Sequence, residues 1–278
     1  MMRHAEKFTW GNAPDGRSNS AFTIFLNLHR SNVFSMASFL LLVAVVAVLA
    51  GAIASVSGFG IGSLLTPVLT VQVGTKLAVA AVAIPHLGAT AFRFWLLRQH
   101  VNRRLLLGFG LMSAAGGLAG ALLHSYADSP GLTIVFSVLL IFTGVLGLTG
   151  LSERLRFRGW VAWTAGAVSG LLGGLVGNQG GIRSAAMLGF GVPKHAFVAT
   201  ATAVGLIVDG ARLPVYLVNQ GQELADLWPF LVTATAGTLM GTVAGAGLLR
   251  RVPEPIYRRV IAALVLALGL FMLLRLGK

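Results

Sequence analysis

Eight stretches of this chain, near 37–57, 77–97, 105–124, 132–151, 160–176, 196–218, 228–249 and 257–274, are apolar almost throughout and long enough to cross a bilayer. In hydrocarbon every backbone N–H and C=O must find a partner within the protein, so spanning segments are helices or the strands of a closed barrel. Continuous apolar runs of this length are helices. Composition agrees: 56% of the residues are hydrophobic, 10% are charged and the mean hydropathy is +0.83, against about 25% charged residues in soluble domains. The 36 glycines are close to twice the usual share and suit helices that pack through small residues. With no cysteine in the chain, disulfide frameworks, thiolate zinc sites, iron–sulfur clusters and cysteine nucleophiles are excluded together.

Two shorter apolar stretches remain, 61–73 and 181–191, each just after a glycine cluster and just before Lys76 or Lys194. Stretches of that length suit re-entrant or broken helices. A shift of 119 positions lays Gly58 on Gly177, Gly62 on Gly181 and Arg93 on Arg212, and a slightly larger one lays Gly116 and Gly120 on Gly237 and Gly241. An internal duplication explains the matches, with a first membrane repeat over 36–151 and a second over 152–278.

The formal net charge of +13 reports orientation rather than a nucleic-acid partner, because the basic residues sit in short gaps between apolar runs. The gaps at 98–104, 152–159 and 250–259 are arginine-rich, whereas those at 125–131 and 219–227 hold no Lys or Arg and carry Asp128, Glu223 and Asp226. Eight crossings would put 152–159 and 250–259 on opposite sides, against the rule that basic gaps face the cytoplasm. One extra crossing per glycine-led stretch brings every gap into agreement. Each repeat then has five crossings, so the second is inverted relative to the first. A helix of about 13 residues reaches only about 20 Å, and extended glycine-rich backbone supplies the rest where protein or a water-filled cavity surrounds it. Inverted repeats with broken helices are an architecture of secondary transporters. The fold expected is therefore an all-α, multi-pass protein of the plasma membrane. This path puts the N-terminus outside despite Arg3, Lys7, Arg17 and Arg30 in the polar extension 1–35, a misfit that translation from Met36 would remove.

The first glycine-led element reads Ser57-Gly58-Phe59-Gly60-Ile61-Gly62-Ser63, followed by Pro67; the second reads Gly177-Asn178-Gln179-Gly180-Gly181-Ile182-Arg183-Ser184, followed by Pro193. Glycine admits positive φ and close backbone approach. The first residues of a helix present free N–H groups and a partial positive charge, which together favour an anion. The candidate substrate-binding residues are thus Gly58, Gly60, Gly62, Ser63, Gly177, Asn178, Gln179, Gly180, Gly181, Arg183 and Ser184. Arg183 is the most telling, because a guanidinium within the membrane calls for an anion unless it snorkels to water. Neither element is a nucleotide loop: the first lacks the third glycine of GxGxxG, the second lacks the P-loop lysine, and neither follows a strand.

These paired glycine motifs, and Gly173-Gly174-Leu175-Val176-Gly177-Asn178-Gln179-Gly180-Gly181 in particular with Pro67 and its apolar run as support, resemble the sulfite exporter TauE/SafE family of membrane permeases. The resemblance covers roughly Met36 to the C-terminus. It implies transport of sulfite or organosulfonates, with export as the direction. The chain departs from the family's glycine triplet, carrying Asn178 and Gln179 before Gly180, and Phe59 and Ile61 between the first-half glycines. Those departures bear on which anion is carried more than on the fold.

Asp209 is the one acid within an apolar run, and Arg212 stands one turn later on the same helix face. The pair serves either proton coupling and gating or the register of packed helices. Arg93 is the first-half counterpart, with Thr90 in place of the acid. His86, beside Pro85, either titrates near neutrality or packs as a hydrogen-bonded side chain. His124 and His195 are expected at the interface, as are the indole rings of Trp95, Trp160, Trp163 and Trp228. An enzyme is disfavoured, since no serine motif carries the leading glycine of Gly-x-Ser-Gly and no HExxH run is present. The reading reached is a permease for a small anion with no cofactor or metal, its partners the anion and the bilayer. A homo-oligomer is compatible with it, and the competing reading is a membrane assembly protein that needs Arg183, Asn178 and Gln179 only for packing.

Overall fold

The computed structural model describes residues 36–276 apart from 152–156, 158, 179, 189 and 249–253. The polar extension, Gln179 and most of the arginines in two of the basic gaps therefore lie outside the described residues. Among those described, all regular structure is helical.

Helix α1, Met36–Ser57, is followed by Gly58 (φ 78°), whose N–H donates to the Ala54 carbonyl at 3.0 Å. Helix α5, Trp160–Val176, ends in the same way: Gly177 (φ 74°) donates to the Gly173 carbonyl at 3.0 Å. A left-handed residue just past a helix satisfies the last carbonyls, and glycine adopts it without strain. The motif was expected to bring backbone near a ligand; its first physical job is to stop two helices.

The stretch 61–73 is set off as expected: a non-helical Gly74 (φ 78°, ψ 161°) divides it from the helix that follows, and the two are taken together as α2, Ile61–Leu97. In the second half the corresponding pieces stay apart. Helix α6, Gly180–Leu188, ends earlier than the apolar run, and α7, Lys194–Asp226, begins directly after Pro193, which cannot continue a helix but readily precedes one. The expected gap at 219–227 holds two interruptions, a non-helical Gln220 (φ −137°, ψ 16°) that divides α7 and Leu227 between α7 and α8, Trp228–Leu248, with helical backbone over 221–226 between them. Gln222 and Glu223 are good helix formers on an exposed face, so polarity there marks solvent rather than a loop.

Between these lie a helical stretch from Arg103 that becomes α3, Leu111–Tyr126, and α4, Ser129–Thr149, capped by Asp128, whose Oδ1 accepts from the Gly131 N–H at 3.0 Å. The last helix is α9, Glu254–Arg275. Among the described residues, five helical stretches are long and apolar enough to cross a membrane: Met36–Ser57, Ile61–His100, Arg103–Tyr126, Ser129–Thr149 and His195–Asp226, with Trp160–Val176 shorter.

Helix α1 packs along α8 and α3 along α5; α4 lies against α9, and α2 crosses α7 at the centre, with α3 against α7 and α2 against α8. Glycine sets the closeness of the first two pairs. A Cβ on Gly116 or Gly120 would run into the backbone of Ala167 or Leu171, one on Gly170 or Gly174 into Ser113 or Gly117, and one on Gly241 or Gly245 into Val48 or Ala52. Small, polar and charged residues fill much of the interior, while Leu41, Leu49, Val138, Val232 and Leu274 stand exposed on the outside. That distribution suits lipid, where apolar side chains gain nothing by turning inward. Trp95, Trp160 and Trp228 are exposed at helix ends, as membrane-interface anchors would be.

Candidate functional site

The two glycine-led elements meet. A Cβ on Gly62 would strike the Gly177 carbonyl, and one on Gly180 would strike the Phe59 side chain. Gly60 (φ 129°) leads into α2, Ser63 is buried in its first turn, and Gly180 and Gly181 open α6. Asn178 is buried with Nδ2 unpartnered, and Ser184 is half-buried.

Arg183 does not snorkel. It is 3% exposed, and Nη2 donates to the Gly58 carbonyl at 3.0 Å across the two elements, whereas Nε and Nη1 have no partner. Buried N–H groups without acceptors are costly, and several kcal/mol is the ordinary scale for a buried charge left unpaired.

The expected Asp209–Arg212 pair forms in the crossing of α2 and α7. Arg212 Nε donates to Asp209 Oδ1 at 3.0 Å and Nη2 lies 2.8 Å from the same oxygen. His86 Nδ1 from the facing helix is 2.6 Å from Asp209 Oδ2, so the carboxylate is held on both oxygens. Arg212 Nη1 reaches the Gly173 carbonyl at 2.7 Å. Arg93 binds the Ala54 carbonyl through Nη1 and donates to Thr90 Oγ1 through Nη2 at 3.1 Å. Both arginines thus sit at helix C-termini, where a cation complements the partial negative charge.

Two participants carried no mark in the expectations, and a third was expected elsewhere. Tyr216, one turn past Arg212, donates its hydroxyl to the Gly174 carbonyl; the i, i+4 spacing from Arg212 is the clue that was present. Gly205 leaves the space beside Arg183 Nη1. His124 was expected at the interface and is instead buried, its Nδ1 2.8 Å from the Leu175 carbonyl and its ring 4.9 Å from Tyr216. The close packing of α3 on α5 covers it. His195 is exposed, as expected. A surface hollow of about 230 Å³ lies elsewhere, between the Gly74 break, Ser129 at the start of α4 and Arg275 at the end of α9. It holds none of the glycine-element residues. Among the described residues no cluster of His, Asp or Glu could hold a metal ion.

A family model described as sulfite exporter TauE/SafE matches residues 43–272. The chain belongs to this family. It is accordingly a multi-pass membrane permease of the TauE/SafE type, and the match extends well beyond Gly173–Gly181 to most of the chain. No curated protein and no solved structure compared with the chain matches it.

Proposed function

We propose that this TauE/SafE protein is a secondary permease that exports a small oxyanion, sulfite or an organosulfonate, by alternating access, with the anion held where the two glycine-led elements meet. One observation carries the reading. Among the described residues, the buried cluster holds three guanidinium groups, Arg93, Arg183 and Arg212, against one carboxylate, Asp209. The unpartnered polar atoms of the arginines and of Asn178 within it, Arg93 Nε, Arg183 Nε and Nη1 and Asn178 Nδ2, are all donors. Surplus positive charge and free donors in an apolar protein are matched by an anion with several acceptor oxygens.

We read the architecture as two inverted repeats of five crossings each. The helix pairings support this, because exchanging the halves turns α1 on α8 into α5 on α3, and α2 on α8 into α7 on α3, while α4–α9 and α2–α7 map onto themselves. The neighbourhood of the helix ends supports it as well. The Asn102 N–H donates to Thr200 Oγ1 at 2.9 Å, and the rings of His100 and His195 are 6.1 Å apart. Eight crossings would set those segments on opposite faces of the membrane, whereas ten set them on the same, basic face.

The test is sulfite and ethanesulfonate flux in reconstituted vesicles. The wild-type protein is expected to carry at least one of the two, and Arg183→Ala to lose flux while inserting and folding normally. Retained flux in Arg183→Ala would remove the site from this place.

A further inference from the structure

The crossing of α2 and α7 has two ends related by the 119-residue shift, and the chain has made them unlike. At one end His86 meets Asp209 at 2.6 Å. At the other, the positions that repeat them are Gly205 and Thr90, and no ion pair joins those. Instead, a Cβ built on Gly205 would lie 3.0 Å from Arg183 Nη1 and 3.6 Å from Thr90 Cγ2. The guanidinium of Arg183 stands in the space that a side chain at 205 would claim.

We propose that Gly205 is a positioning residue of the anion site, keeping open beside Thr90 the space in which Arg183 presents Nε and Nη1 to a small oxyanion. This rests on the anion-permease reading above. The geometry narrows that reading to one end of the crossing: the His86–Asp209 end is saturated with partners, and the Gly205–Thr90 end holds the free donors of a buried arginine. Gly205 is itself buried within α7. A contact of 3.0 Å is tighter than ordinary packing, so even a methyl group there makes the guanidinium give way by a few tenths of an ångström. Thr90 already accepts from Arg93 Nη2 at 3.1 Å and lies 3.5 Å from His86 Nδ1, so it is anchored and does not yield in place of Arg183.

The experiment is equilibrium binding of radiolabelled sulfite and of ethanesulfonate to purified full-length protein, for wild type, Gly205→Ala, Arg183→Ala, the double variant and Gly210→Ala. Alanine favours a helix over glycine, so Gly205→Ala should fold. Misalignment of one charge-assisted hydrogen bond predicts binding weakened severalfold, up to about tenfold, in Gly205→Ala. In the double variant the glycine change should add nothing to Arg183→Ala, since it acts through that side chain. A Cβ on Gly210 meets nothing within 4 Å, and Gly210→Ala should bind as wild type. Unchanged binding in Gly205→Ala, with Arg183→Ala defective, would overturn the role of Gly205 alone. Additive losses in the double variant would overturn it too. If wild type binds neither probe, or Arg183→Ala binds as wild type, the anion-site reading itself falls, and Gly205 with it.

Discussion

Arg93 and Arg212 perform the same act in the two halves of the chain: each donates through Nη1 to the carbonyl of the residue 39 positions before it, Ala54 or Gly173. The same carbonyl also accepts the N–H of the glycine that ends its helix, Gly58 or Gly177. One guanidinium therefore ties a long central helix to the last turn of the helix that leads into a glycine element. The two differ in what else they hold, Thr90 for Arg93 and the carboxylate of Asp209 for Arg212.

Both arginines should then matter to stability before they matter to transport, and unequally. Arg212→Ala strips Asp209 of one of its two partners as well as the Gly173 carbonyl, and breaking such a buried pair costs about 3–5 kcal/mol. Arg93→Ala removes only hydrogen bonds to neutral groups, each worth about 1.5–3 kcal/mol when the donor is charged. Thermal unfolding in detergent should rank wild type above Arg93→Ala and that above Arg212→Ala. The reverse order would show that the ion pair contributes little.

Gly120 and Gly174 make a second case, one of contact without charge. Because a Cβ at either would meet backbone of the facing helix rather than a movable side chain, Gly120→Val and Gly174→Val should each separate α3 from α5 and lower stability by about 1–3 kcal/mol or more. Gly221→Ala, with nothing within 4 Å of the new atom, should cause no loss of stability in the same unfolding assay.

How much of this could be read beforehand depends on the kind of contact. Repeated residue types were legible: the register of Gly58 with Gly177 and of Arg93 with Arg212 led to the elements that the structure brings together. Asp209 with Arg212 was legible because three positions on a helix share a face. What the arginines bind was not, because backbone carbonyls at Ala54, Gly58 and Gly173 leave no mark in a sequence. Gly205 was invisible for the opposite reason, since its contribution is a missing side chain beside a residue brought near only by the fold. His124 lies near the end of an apolar run and reads as interfacial until the packing of α3 against α5 is known.

His86 is the member of the buried cluster that ordinarily titrates near neutrality, and it faces Asp209 and Thr90, which in turn hold Arg212 and Arg93. If its charge is linked to anion binding, flux should vary across roughly pH 5–8, and both His86→Gln and Asp209→Asn should change the shape of that profile. Wild-type flux that varies with pH in a way neither substitution alters would leave the pair with a purely structural role.

The absence of cysteine from the chain makes the membrane path directly measurable, since any introduced thiol is the sole target for a membrane-impermeant maleimide. Gln99 and His195 are exposed near the contact between the end of α2 and the start of α7, while Asp128 and Glu223 are exposed in or beside the acid-bearing segments. Ten crossings predict that Gln99→Cys and His195→Cys label only from the cytoplasmic side, in keeping with the arginines nearby, and that Asp128→Cys and Glu223→Cys label only from outside. The decisive pair is Gln99→Cys against His195→Cys. Eight crossings separate them by the thickness of the bilayer, so labelling from opposite sides would overturn the inverted repeats, whereas labelling from the same side requires that the short helix Gly180–Leu188 and the backbone leading into it complete a crossing.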